Sequence, residues 1–224
     1  MNIKSKLLAC FILLYIPCLS ANAADNSTLE FQLTLDRTVY EDSDYGEPPQ
    51  MAIWLENLET GELRTVFVTL RTGTGDFEGT FNRPVSLPIW IGVYRKETGR
   101  EGFPTPMKPF HRHITGATPQ NDKLNVQAEV PEGSKWRYYI ELNVSGDYTA
   151  RFPVENRKGT VDRHGNGQPS LVYSGEINAQ TGNVSEPKIA GRSRQHEFTT
   201  QMKPDLDGIE SAAKVMSSVR VICK

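Results

Sequence analysis

The sequence predicts an all-β protein, and three observations support this fold class. Several short stretches alternate apolar with polar side chains, which is typical of strands that bury one face. Gly, Pro and Asn residues separate these stretches, as turns between strands require. No stretch before residue 205 has the apolar spacing of a helix over ten residues. Short strands divided by such turns favour a sandwich of two sheets.

The first half of the chain contains four candidate strand segments. Residues 29–35 alternate Leu and Phe with Glu, Gln and Thr. Residues 51–55 form an apolar run, and the turn at 59–62 makes residues 63–70 its hairpin partner. Residues 88–94 are a further apolar segment, which we interpret as part of the same β pattern.

The second half of the chain continues this pattern and ends in the only predicted helix. Residues 124–130, 136–144 and 171–177 read as strands. Residues 205–216 have helix-like apolar spacing, and residues 219–223 form a closing strand. The prediction is an immunoglobulin-like β-sandwich with a short C-terminal helix. The core candidates are Leu33, Ile53, Trp54, Val126 and Ile140.

Residues 1–23 have the features of a secretory signal peptide. Two lysines precede an apolar run at 7–16 that is too short to span a bilayer, and Ala-Asn-Ala follows at 21–23. We therefore expect cleavage after Ala23 and a periplasmic protein without stable membrane insertion. A retained membrane anchor is the alternative. Residues 24–224 would then form a single domain.

Charge and cysteine content exclude several classes of protein. The chain has 25 basic and 27 acidic side chains, and loss of a signal with two lysines and no acids leaves a net charge of −4. This mild acidity gives no reason to expect nucleic acid or an anionic membrane as a partner. After cleavage Cys223 is the single cysteine, which excludes an internal disulfide. A buried thiol, a free thiol and a disulfide between two chains stay open.

The common catalytic and metal-binding motifs do not occur in the sequence. There is no Gly-x-Ser-x-Gly elbow, no His-Glu-x-x-His pair and no glycine loop for phosphate. Residues 162–168 resemble the start of a calcium loop, but His164 and Tyr173 stand at positions that need other ligands. His111 and His113 lack a third zinc ligand. These observations do not favour a stand-alone enzyme.

One polar stretch, residues 111–122, contains the string Thr115-Gly116-Ala117-Thr118 directly before a proline. The glycine permits a turn, and the proline biases Thr118 toward an extended conformation that carries its hydroxyl outward. The string is similar to the acceptor motif of extracytoplasmic proteins that carry covalent FMN. In those proteins a dedicated flavin transferase esterifies the last Thr of the motif to the FMN phosphate, and on this chain that residue is Thr118.

Further features resemble the DUF2271 family of periplasmic proteins. They are a Trp-containing strand at 51–55, a Pro-x-Trp segment at 88–90, the Thr-Gly-Ala-Thr-Pro turn at 115–119 and a following pair of strands. The resemblance implies a periplasmic sandwich, and for some members it implies covalent flavin in a redox system. Arg112 stands where the flavin-acceptor motif has Asp.

Two functions follow from these observations. The first is a cofactor-free binding or accessory module at the cell envelope, with an envelope protein as its partner, and Arg112 favours it. The alternative is an electron carrier with FMN on Thr118 and a flavin transferase as its partner. The residues expected to contact the cofactor in that case are Thr118, Thr115, Gly116, Ala117 and Arg112, with Arg95 and His113 at the phosphate and Trp90 and Tyr94 over the flavin.

Overall fold

A computed structural model of the chain describes residues 25–77, 80–81, 86–110, 114–115 and 122–224. Two sheets pack face to face, and a helix lies on the outer face of the larger sheet. The all-β sandwich that the sequence predicts is therefore confirmed. The described strands are, in chain order, β1 (Asn26–Leu35), β2 (Gln50–Asn57), β3 (Leu63–Thr69), β4 (Asp76–Phe77), β5 (Thr80–Phe81), β6 (Ile114–Thr115), β7 (Lys123–Pro131), β8 (Lys135–Asn143), β9 (Leu171–Asn178), β10 (Val184–Ser185), β11 (Lys188–Arg192) and β12 (Met216–Cys223).

Short helices complete the described part of the chain. They are α1 (Arg37–Glu41), α2 (Leu70–Thr74), α3 (Pro88–Thr98) and one 3-10 helix (Ser211–Lys214). Across the described ranges, no helix is long and apolar enough to cross a membrane.

The described strands form two main sheets and a short ribbon. Sheet A has the strand order β10-β12-β1-β7, and sheet B has the order β11-β9-β8-β2-β3-β6. The ribbon consists of β4 and β5. Neighbouring strands run antiparallel, except that β6 runs parallel to β3 at one edge of sheet B.

The main core lies between the two sheets and follows from the period-2 pattern of the strands. The apolar residues of β1 face inward, and its polar residues alternate with them on the outer face. Phe31 meets Tyr138 of β8 edge to face, with ring centroids 5.7 Å apart. The five core candidates are all buried, with Trp54 on the outer face of sheet B and the other four between the sheets.

A second core lies on the outer face of sheet B, beneath α3, and it corrects the β interpretation of residues 88–94. These residues belong to α3, which runs from Pro88 to Thr98. Proline suits a first helical turn, and Gly99 ends the helix with a φ of 68°. The apolar residues of α3 do not follow a clear helical period, because the helix is buried on more than one side, against the sheet and against Phe110.

The C-terminal helix is shorter than the predicted segment 205–216. Only Ser211–Lys214 is helical, because from Met216 onward the backbone pairs with β1 along the length of β12. The same strand carries Cys223 into the main core, where its side chain is buried. A disulfide between two chains through this thiol would therefore require the end of β12 to detach from sheet A.

Truncation of Phe31 tests the main core. We expect Phe31→Ala to lower the free energy of unfolding by about 3–5 kcal/mol, because it removes a fully buried ring and leaves a cavity. Gln32→Ala, on the outer face of the same strand, removes only the hydrogen bond to Glu30 at 2.6 Å and should lower it by about 1 kcal/mol. Urea unfolding followed by far-UV circular dichroism measures both. Equal losses in the two variants would contradict this assignment of the faces.

Candidate functional site

A cleft opens on the outer face of sheet B beside α3, and we call it the outer-face cleft. Strands of sheet B form its floor, α3 forms one wall, and residues 199–203 complete the lining through Thr200 and Met202. Its volume is about 270 Å³. We call residues 199–203 the wall segment.

Two stacked aromatic rings form the floor of the outer-face cleft. Trp54 of β2 and Tyr139 of β8 are directly opposite each other in the sheet. Their ring centroids are 5.1 Å apart and their planes lie at 11° to each other. Cross-strand pairing therefore stacks the two rings on each other at the bottom of the cleft, where Trp54 is 3% exposed and Tyr139 is half-buried.

The polar edge of this floor is already paired. The Tyr139 hydroxyl donates to Glu56 Oε2 at 2.9 Å, and Arg137 Nη1 lies 3.6 Å from the same oxygen. Arg137 also binds Glu176 at 2.6 Å. Burial, and after it the hydrogen bond to Glu56, raises the pKa of Tyr139. The hydroxyl is therefore a donor and not a phenolate at neutral pH.

The carboxylate of Glu141 holds the first turn of α3 against sheet B. Leu87, at the N-cap position, provides no side-chain hydrogen bond, and Glu141 of β8 replaces that cap. Its oxygens accept from the backbone N–H groups of Ile89 at 3.2 Å and Trp90 at 2.7 Å. The Ser170 hydroxyl donates to the same carboxylate at 2.6 Å. Burial raises the pKa of Glu141 to about 7, although these hydrogen bonds act against the rise.

A β-bulge fastens α3 closer to its C-terminal end. The pairing of β2 with β3 shifts register between Ile53 and Trp54, and the Thr65 N–H donates to the Glu97 side chain of α3 at 3.0 Å. The Thr65 hydroxyl accepts from Trp90 Nε1 at 3.1 Å. These contacts fix the rotation of α3 about its own axis.

That rotation decides which residues of α3 face the outer-face cleft. Ile89, Val93 and Lys96 line it, and their spacing of three or four residues places them on one side of the helix. Trp90 and Tyr94 lie in the second core and are at most 1% exposed. The expectation that these two rings cover a flavin is therefore wrong, because the fold uses them to pack α3 onto sheet B.

The edge of sheet B holds the wall segment. Its Lys203 exchanges two backbone hydrogen bonds of 2.8 Å with Arg192 of β11. The Arg192 guanidinium is 7% exposed and binds the Asp205 carboxylate at 2.5 Å. These bonds place Met202 in the lining of the cleft with 38% of its side chain exposed.

Arg95 connects α3 with the residues that lead into the wall segment. Its guanidinium lies 5.0 Å from the ring centroids of both Phe103 and Phe198, which meet edge to face. Arg95 Nε also donates to the Gly102 carbonyl at 3.2 Å. The structure thus gives Arg95 a packing role where the flavin hypothesis needed a partner for phosphate.

The string that resembles the flavin-acceptor motif begins in the last described strand of sheet B. Thr115 belongs to β6 and is aligned with Thr69 of β3, and β6 is the last strand of that sheet within the described residues. The chain is described again from Asp122, whose carbonyl accepts from Leu35 N–H of sheet A at 2.7 Å. The other motif residues and neighbours lie outside the described residues; they are Arg112, His113, Gly116, Ala117 and Thr118.

The loop at 162–168 uses its acidic side chain to stabilise itself. The Asp162 carboxylate accepts from the backbone N–H groups of His164 at 3.2 Å and Gly167 at 3.0 Å, and from the Tyr148 hydroxyl at 3.3 Å. In the part of the chain that the structure describes, no three His, Cys, Asp or Glu side chains are grouped to hold a metal ion.

A comparison of the chain with known protein families, curated proteins and solved structures finds no match. The proposals below therefore rest on the geometry of the outer-face cleft and on the sequence motif.

The sequence pointed to the floor of the cleft but not to its walls. Trp54 is among the core candidates, whereas Met202 belongs to no motif. One usable signal was that residues 51–55 are apolar without alternation, which is typical of a strand covered on both faces. Another was the placement of Pro88 and Gly99, which flank α3 as helix ends commonly are.

The buried carboxylate predicts a specific dependence of stability on pH. The pKa of Glu141 rises from 4.5 to about 7 on folding, so the folded state binds its proton more tightly. The stabilisation from this tighter proton binding is complete below pH 4.5 and is lost as the pH rises through 7. The free energy of unfolding falls by about 3 kcal/mol in total. In Glu141→Gln this part of the pH dependence should disappear. Urea unfolding from pH 4 to pH 8 measures it, with the exposed Glu129→Gln as control. Parallel pH profiles for wild type and Glu141→Gln would contradict the prediction.

A second prediction concerns the contact between α3 and the wall segment. A Cβ at Gly92 would lie 2.9 Å from Thr200 Cβ, so the wall segment must move. An exposed helical Gly→Ala change normally stabilises by about 1 kcal/mol. For Gly92→Ala we expect a loss of about 1–2 kcal/mol in the free energy of unfolding. Gly102→Ala is the control, since its Cβ would meet nothing within 4 Å. A stabilised Gly92→Ala protein would show that the wall does not pack as described.

Proposed function

We propose that the protein is an exported, cofactor-free binding module at the cell envelope, which holds its ligand in the outer-face cleft. The observation that carries this proposal is the floor formed by the stacked rings of Trp54 and Tyr139. The Tyr139 hydroxyl is already paired with Glu56. Apolar pockets with a few fixed polar groups are typical ligand sites. The signal-like residues 1–23 support export to the periplasm.

The chemistry of the described side chains favours binding over catalysis. Tyr139 keeps its proton because its pKa is raised, so it is a poor nucleophile. Glu141 has a pKa suited to proton transfer, but it is completely buried and its oxygens are occupied by α3 and Ser170. The neighbouring Ser193 is also completely buried. The completely buried side chains of Glu141 and Ser193 therefore cannot reach a substrate in the outer-face cleft.

The size of the cleft limits the ligand. Its volume of about 270 Å³ is slightly below the range of about 300–1,000 Å³ that holds drug-sized molecules. It fits a small molecule, or one side chain presented by an envelope protein. Met202 suits such a site, because its flexible thioether adapts to different ligand shapes.

Electron transfer by FMN on Thr118 is the second candidate function. The Thr-Gly-Ala-Thr string favours it. Three of the residues expected to hold the cofactor do not fit that role. Trp90 and Tyr94 are buried in the second core, and Arg95 lies between two Phe rings. We therefore rank the cofactor-free module first.

The two functions differ in a measurable mass and colour. The protein and its Thr118→Ala variant would be produced in a bacterium with an active periplasmic flavin transferase, beside a known acceptor protein as positive control. Intact mass spectrometry and the visible spectrum after denaturation are measured for each. We expect both chains to carry no added mass and no flavin absorption, because binding requires no cofactor. A wild-type chain heavier by one FMN less a water, yellow after denaturation and unmodified in Thr118→Ala, would establish the carrier instead.

A further inference from the structure

We propose that the ligand of the outer-face cleft is a small amphiphile with an apolar or aromatic body and one anionic group, which pairs with Lys96. This inference rests on the proposed function and adds the chemical class of the ligand. It follows from the balance of charges around the cleft and from the residues that form its floor and walls.

The negative charge at the cleft is already compensated. Two charged residues line it, Glu56 on β2 and Lys96 on α3. The Glu56 carboxylate accepts the Tyr139 hydroxyl and lies within ion-pair distance of Arg137. A cationic ligand would therefore have to compete with Arg137 for this carboxylate, and it would also meet the charge of Lys96.

The positive charge at the cleft is uncompensated. Among the described residues, Lys96 has no ion-pair partner within 4.0 Å. The neighbouring acid on α3, Glu97, is turned to the Thr65 N–H of β3 at 3.0 Å. The neighbouring cation, Arg95, is held between two Phe rings. Among the described residues, Lys96 is thus the one charged group of the lining that lacks a partner of opposite sign. An anionic group of the ligand would be that partner.

The rest of the lining selects the body of the ligand. Leu63, Ile89, Val93 and Met202 surround the stacked floor, and Lys96 lies beyond Val93 toward the C-terminal end of α3. An apolar or aromatic group on this floor is removed from water while an attached anion reaches the lysine. A ligand with this order of groups satisfies both the apolar surface and the charge, which a purely polar or a purely apolar molecule does not.

Three probes with the same body and different charge test the proposal. They are 3-phenylpropionate, 3-phenyl-1-propanol and 3-phenylpropylammonium. Each is titrated into the protein comprising residues 24–224, and binding is measured by isothermal titration calorimetry. Because Lys96 is exposed, we expect the carboxylate to bind about fivefold more tightly than the alcohol, the upper range of an exposed ion pair, and the ammonium to bind most weakly. The preference for the carboxylate should decrease with added salt.

Variants assign that preference to Lys96. Lys96→Met keeps the apolar stem and should reduce the preference for the carboxylate to within about twofold, and Lys96→Glu should reverse it in favour of the ammonium. Lys158→Met, at an exposed lysine of another loop, should leave all three affinities unchanged. Gly92→Ala should weaken the three probes by a similar factor, because it displaces a wall and leaves the charges in place. Thermal unfolding of each variant checks that it is folded.

The failures of the two proposals have different signatures. If the alcohol or the ammonium binds as tightly as the carboxylate, and Gly92→Ala weakens all three probes, the cleft binds ligands but the anionic assignment is wrong. If no probe binds at millimolar concentration, or Gly92→Ala has no effect on binding, the cleft is not the binding site and the proposed function fails with the inference.

Discussion

The Glu141 carboxylate accepts hydrogen bonds from the N–H groups of Ile89 and Trp90, and the outer layer of the molecule depends on this contact. A helix end buried without partners would be costly, and Leu87 offers none from its side chain. The cap comes instead from a strand some fifty residues later in the chain. Because Glu141 belongs to sheet B and also caps α3, the helix cannot shift on the sheet without leaving its own N–H groups unpaired in an apolar core.

The outer-face cleft results from how α3 is held. The Glu141 cap and the Thr65–Glu97 contact fix both the position and the rotation of the helix, so Trp90 fills the second core and Val93 faces the gap beside it. The helix covers only part of the sheet's outer face. The remainder carries the Trp54–Tyr139 stack, in which Trp54 is 3% exposed and Tyr139 keeps part of its surface open to the cleft.

Particular residues show how far the site could be predicted. In residues 136–144, Glu141 occupies a position that alternation assigns to solvent, yet it is completely buried because a distant helix covers it. Trp54 was a core candidate, and it is buried on the face opposite to the other four. The string at residues 115–118 could be recognised from the sequence because its four residues are adjacent in the chain. The cleft has no such signature, because its lining comes from four strands, one helix and the wall segment, which are separate in the sequence.

The sequence by itself determined the seven longer strands, β1, β2, β3, β7, β8, β9 and β12, because their apolar pattern is a local property that each segment carries regardless of its neighbours. It also showed that a short string with two hydroxyls, Thr115-Gly116-Ala117-Thr118, interrupts the alternating pattern. Only the tertiary structure decided that residues 88–94 are helical, since their apolar side chains suit either element until sheet B provides a surface and Glu141 provides a cap. The outer-face cleft was decided in the same way, because it exists only where β2, β8, α3 and the wall segment meet.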